Sequence, residues 1–66
     1  MLLPRLVQAR KRAGISQKTV ADALNITQQQ YCRYENGQNE MPVRYIIALC
    51  KFYKISSDWL LGLTDQ

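Results

Sequence analysis

The chain has 66 residues, a formal charge of +4, no histidine and two cysteines, Cys32 and Cys50. That length allows one small domain, residues 1–66, near the lower size at which a single core holds without staples. It offers no ligand set for a structural zinc and no imidazole base. The carboxylates are scattered, and no nucleophile-elbow serine or Gly-rich phosphate loop is present, so no catalysis, metal or other cofactor is expected.

Pro4 suits the first turn of a helix, where its missing N–H costs nothing. Leu6, Val7 and Ala13 are read as that helix's inward side and Gly14 as its stop, giving a first helix over about 4–13. Ser16 is the N-cap expected for a second helix over about 17–24, with Val20, Ala21 and Leu24 inward and Asn25 turning left-handed. Thr27 opens a T-x-x-Q capping box with Gln30, in which each side chain satisfies a free backbone N–H. Gly37 then ends a third helix over about 28–36. After a polar loop, Pro42 opens a fourth helix whose apolar stripe reads Val43, Ile46, Ile47, Cys50 and Tyr53. Ser56 caps a short fifth helix with Asp58 at its positive end and Leu60 toward the core, and Gly62 ends it. The expected architecture is all-α, five helices without a sheet, repeat or internal linker.

Between Gln17 and Asn36, the apolar, small and turn positions Val20, Ala21, Leu24, Asn25, Ile26, Tyr31 and Tyr34 fit two short helices packed at a tight turn. That spacing reads as a helix-turn-helix over about 17–36, a unit able to insert its second helix into the major groove of DNA. At about 100° per residue, Tyr31 and Tyr34 point to one side of the third helix while Gln29, Arg33 and Asn36 lie roughly opposite Tyr31. Gln28 sits at the N-terminal tip, which enters a groove most deeply. Gln pairs bidentately with adenine and Arg with guanine, so Gln28, Gln29 and Arg33 are the expected base-reading residues. The plainer reading makes the glutamines solvated helix formers and Arg33 the partner of an acid or a phosphate. Cys32 is read as a small filler beside that face, with a redox sensor as the alternative.

Phosphate contacts set register without reading sequence. Gln17, at the first turn of the second helix, is placed to offer its amide to a phosphate oxygen, and Thr27 and Asn36 likewise. Lys18, with Lys11 and Arg12, adds unspecific attraction. Residues 1–33 hold six basic and one acidic residue, and residues 34–66 three basic and four acidic, so the positive charge lies on the half with the motif.

The run Ser16 to Gly37, S-Q-K-T-V-A-D-A-L-N-I-T-Q-Q-Q-Y-C-R-Y-E-N-G, with Ser56 to Gly62, S-S-D-W-L-L-G, resembles the phage repressor and Cro family of XRE-type helix-turn-helix regulators. The resemblance covers almost the whole chain. It implies a compact five-helix, lambda-repressor-like domain that binds a pseudo-palindromic double-stranded DNA operator as a homodimer and regulates transcription, with repression the expected outcome. Gln17, Gln28, Gln29 and Arg33 stand where such proteins make phosphate and base contacts. The resemblance further implies that Glu35 pairs with Arg10 of the first helix, against the rival role of repelling misplaced phosphate. Asn25 replaces a common Gly, Lys54 stands where a small turn residue is usual, and Glu40 lies in a loop where relatives carry cations. Arg44 is the expected compensating backbone contact.

Trp59, Leu61 and Leu63 are more apolar than an exposed tail requires, and are read as a dimer surface or, for Trp59 and Leu63, as cover for the core. The competing function is a helical protein-interaction module, antitoxin-like or bridging, with little specific DNA readout. Gln29, Arg33 and Asn36 on the outer face argue against it. No segment has the Lys-rich amphipathic face of a membrane-surface helix, and no small-molecule site is legible. With no signal-peptide pattern and no disulfide-scaffold composition, a reducing, cytoplasmic location is expected.

Overall fold

Three hydroxyl caps and five left-handed residues, Gly14, Asn25, Gly37, Lys54 and Gly62, set where the chain bends. The computed structural model describes residues 3–65. Among them the elements are α1 (Pro4–Ala13), α2 (Gln17–Leu24), α3 (Gln28–Glu35), α4 (Val43–Tyr53) and α5 (Ser57–Leu60), with no strand. Ser16 Oγ accepts from Thr19 N at 3.2 Å, Thr27 Oγ1 from Gln30 N at 3.1 Å and Ser56 Oγ from Trp59 N at 3.0 Å. Each satisfies a helix-start N–H that would otherwise lack a partner, worth about 1 kcal/mol. The capping box at Thr27 closes on one side only. The Gln30 amide turns along α3, its Nε2 donating to Tyr34 Oη at 3.3 Å, and its oxygen does not accept from the Thr27 N–H.

The α2 to α3 turn is made at Asn25, whose φ of 62° carries the chain left-handed while Ile26 N donates to Ala21 O at 3.0 Å. α3 stops at Glu35, with Asn36 as the residue that ends it. α4 ends on Lys54 in the same left-handed region, φ 58°, and Ile55 N donates back to Cys50 O.

Leu6, Val20, Ala21, Tyr31, Leu49 and Leu60 form the centre of the core. The inward side of α1 is Leu6 and Ala9, with Leu3 ahead of it, and differs from the expected Leu6, Val7 and Ala13. Val7 is half-buried about 100° round from Leu6, and Ala13 is exposed where α1 reaches an open groove beside Trp59. In α4 the buried positions are Ile46 and Leu49, with Tyr45, Cys50 and Tyr53 packed against them. Val43, on the first turn, is 68% exposed and Ile47, one position round from Ile46, is 50% exposed, so neither belongs to the stripe read from the sequence.

Trp59 is only 7% exposed and part of the core, which removes its ring from the expected dimer surface; Leu61 and Leu63 remain at the surface. Arg5 explains the position of this last segment. Its Nη1 donates to Trp59 O at 2.9 Å and also to Thr64 O, and its guanidinium lies 5.1 Å from the Trp59 ring centroid.

The two left-handed side chains differ in how well they tolerate that backbone. Asn visits the region readily, whereas Lys has no local hydrogen bond to offset the contact of its Cβ with the backbone. Lys54→Gly is expected to raise stability by about 0.5–1 kcal/mol, and Asn25→Gly to change it little. Urea midpoints of the two variants against the parent check both statements.

Candidate nucleic-acid interface

α3 is oriented by what it buries. Tyr31, Tyr34 and Glu35 are buried on its inner side, which leaves Gln28, Gln29 and Arg33 exposed on the other. Those three form, with Gln17 at the start of α2, Cys32 and Gln38, the lining of an open cleft of about 580 Å³. Four of the residues singled out in the sequence, Gln17, Gln28, Gln29 and Arg33, are therefore brought together. Gln38 was not among them. It arrives because the chain turns back after α3, where Gln38 N donates to Arg33 O and to Asn36 Oδ1, both at 3.0 Å. An Asn-Gly pair just ahead of a Gln was the available signal, since Asn side chains favour such local bonds.

The remaining candidates lie outside the lining of the cleft. Asn36 Nδ2 donates to Gln38 Oε1 at 3.2 Å, and Thr27 Oγ1 caps α3. Lys18 Nζ, exposed, bonds Asp22 Oδ2 at 3.1 Å one turn along α2. The Arg44 guanidinium lies 4.7 Å from the Tyr45 ring centroid.

Behind the cleft, the end of α3 is tied to α1 and to the start of α2 through one buried carboxylate. Arg10 Nε donates to Glu35 Oε2 at 2.7 Å and Arg10 Nη2 to Glu35 Oε1 at 3.2 Å, the paired geometry that suits guanidinium and carboxylate. Arg10 Nη1 donates to Ile15 O at 3.1 Å, and Gln17 Nε2 to Glu35 Oε1 at 3.0 Å. The Gln17 amide expected to face a phosphate is thus anchored inward by one N–H, which leaves its second N–H.

Burial alone would raise the Glu35 carboxyl, but the hydrogen bonds from Arg10 and Gln17 outweigh it and hold it below its ordinary value. The bond to Glu35 raises Arg10 in turn. Two phenols adjoin this pair. Burial, reinforced by the charge of Glu35, raises Tyr31 and pushes Tyr53 up to about 12. The hydroxyls of both are buried without a hydrogen bond of ordinary geometry, so both act on the pair through field and packing.

Residues 6–60, spanning every helix but the first two residues of α1, match the helix-turn-helix family. The chain belongs to that family. Helix-turn-helix relatives from Bacillus subtilis strain 168 include the uncharacterized HTH-type transcriptional regulator YobD, 32% identical over all of this chain and 59% of its own length. The HTH-type transcriptional regulator ImmR is 36% identical over 88% of this chain and 46% of its own. The chain thus spans about half the length of the curated relatives it matches. The fold is shared with the crystal structure of a transcriptional regulator from Listeria innocua, at a TM-score of 0.82 and 23% identity, covering 92% of this chain and 57% of that one. No helix among the described residues is long and apolar enough to cross a membrane.

Removing one member of a buried ion pair leaves the other charge uncompensated, at a cost of about 3–5 kcal/mol. Glu35→Ala is expected to bring this small domain close to unfolding at room temperature. The double change Arg10→Met with Glu35→Leu, which leaves no charge behind, should recover most of the loss in urea denaturation.

The pH dependence follows from the lowered Glu35. A carboxyl lowered on folding contributes stability that is complete above its ordinary value of 4.5 and is lost as pH falls through the lowered folded value. Between neutral pH and pH of about 3, thermal midpoints of the parent should therefore fall further than those of the double variant.

Proposed function

We propose that this domain is the DNA-reading part of a transcriptional regulator, and that it acts as a repressor by laying α3 in the major groove of an operator. The observation carrying the reading is the composition of the cleft. Gln28, Gln29 and Arg33 project from the exposed face of α3 into one concave surface, and all are able to bond base edges in two places. An interaction helix would carry apolar or acidic groups there. The family and the names of the two relatives, both called transcriptional regulators, support the reading.

In this reading Arg33 favours guanine and Gln28 and Gln29 favour adenine. The free N–H of Gln17, with Thr27, Asn36, Lys18 and Arg44, meets the phosphates and fixes register. A second copy joins through Leu61 and Leu63, of which Leu63 is 73% exposed, and the pair of domains reads an inverted repeat.

Selection from a random-duplex pool at near-physiological salt tests the proposal. The retained DNA should be enriched in an inverted repeat with half-site centres about one helical turn apart. Gln29→Ala and Arg33→Gln should each relax one symmetric position at a cost of about 1–3 kcal/mol. Lys18→Gln should weaken all sequences alike and reduce the salt slope by about 1. Retention without enrichment would leave electrostatic attraction as the only interaction, and no retention would make the domain a protein-interaction module.

A further inference from the structure

Away from the cleft, the ends of α1 and α4 and the start of α5 enclose a groove made of two adjoining hollows of about 240 and 340 Å³. They share Arg12, Ile55 and Trp59, and none of their lining residues belongs to the cleft beside α3. The floor is apolar: Trp59 in the core, Tyr53 and Ile55 half-buried, and Ala13 on the α1 side. Two cations rim it, Arg12 and Lys54, and no acidic residue lines either hollow.

Neither cation is neutralised, and Arg12 is also held in place. The Arg12 guanidinium lies 5.1 Å from the Trp59 ring centroid, close enough for attraction to the ring face, and makes no ion pair among the described residues. Lys54, also without an ion pair among them, leaves α4 at the left-handed turn, so the backbone fixes where its side chain starts. Arg10 is engaged with Glu35, Arg5 with Asp65 at 3.6 Å, and Lys18 with Asp22. The positive charge at the groove is therefore available, and it sits over aromatic and aliphatic surface.

We infer that this groove is a docking site for an acidic peptide segment of a partner protein, which sets an apolar side chain over Tyr53 and Ile55, beside the edge of Trp59, and a carboxylate on Arg12. Charge complementarity selects the carboxylate, and the partly exposed Tyr53 and Ile55 favour a peptide, which can place an apolar side chain on them, over a sugar-phosphate backbone, which cannot. The partner would then engage the domain through residues that take no part in the cleft.

Trp59 is the sole tryptophan of the chain and reports on the groove directly. Titration of the full chain with a short synthetic peptide repeating Leu-Glu-Glu should change its fluorescence, and the same peptide with Lys for Glu should not. Arg12→Gln, at an exposed position without an ion pair, should weaken the peptide about tenfold and lower the thermal midpoint only by the few degrees that loss of the indole contact costs. Ala13→Glu, which sets an acid on the α1 wall, should block the peptide while leaving the random-duplex enrichment intact. Equal binding of the Lys peptide, or none of either, would overturn the inference. So would an Arg12-dependent self-association that the Glu peptide does not compete with, which would give the groove to a second copy. A fall in the salt slope for duplex DNA on Arg12→Gln, with peptide binding unaltered, would give Arg12 to a phosphate and equally overturn it.

Discussion

One buried carboxylate decides how the helices of this domain stand. Glu35 is the last residue of α3, and its oxygens are taken by Arg10 of α1 and Gln17 at the first turn of α2. An ionised group so shielded is tolerated only when its partners are in place, so the register of three helices becomes a condition of burying it. α3 is thereby held at both ends, by the left-handed Asn25 turn before it and by Glu35 at its close. Between those fixed points its rotation is set by Tyr31 and Tyr34, and the outward direction of Gln29 and Arg33 follows from the burial of the tyrosines.

The same arrangement separates two surfaces of different chemistry. The cleft beside α3 is built from carboxamides and one guanidinium, groups that recognise by the direction of their hydrogen bonds. The groove between α1 and α5 is built from aromatic rings and aliphatic chains under two cations, which recognise by area and charge. Arg10 and Arg12, two residues apart on α1, show how position governs use: Arg10 turns inward to the carboxylate, and Arg12 turns to the indole.

Most of the helix boundaries were legible because their signals are local. Pro4, Ser16, Thr27, Ser56, Asn25 and the glycines act on backbone groups within a turn of themselves, and no tertiary knowledge is needed to read them. The side chains that failed the reading are those decided by neighbours distant in sequence. Leu49 was overlooked in favour of Val43 and Ile47 because periodicity gives the width of a stripe without its centre, which the packing of other elements chooses. For Trp59 the sequence leaves dimer surface and core cover both open, and only the presence of α1 decides for the core. Gln30 completes a capping box on paper, but a tyrosine hydroxyl one turn along competes for the same amide. Within the cleft, Gln28, Gln29 and Arg33 were visible as a helix face, while Gln38 enters through a loop whose path no periodicity describes.

The bonds from Arg5 to the backbone of Trp59 and Thr64 clasp the first turn of α1 to the segment that follows α5. The loop that such a contact closes takes in all five helices, so its entropic cost is offset only when the helices between are already packed. Fraying of either segment therefore releases the other, and the first turn of α1 and the residues after α5 should open together rather than one by one.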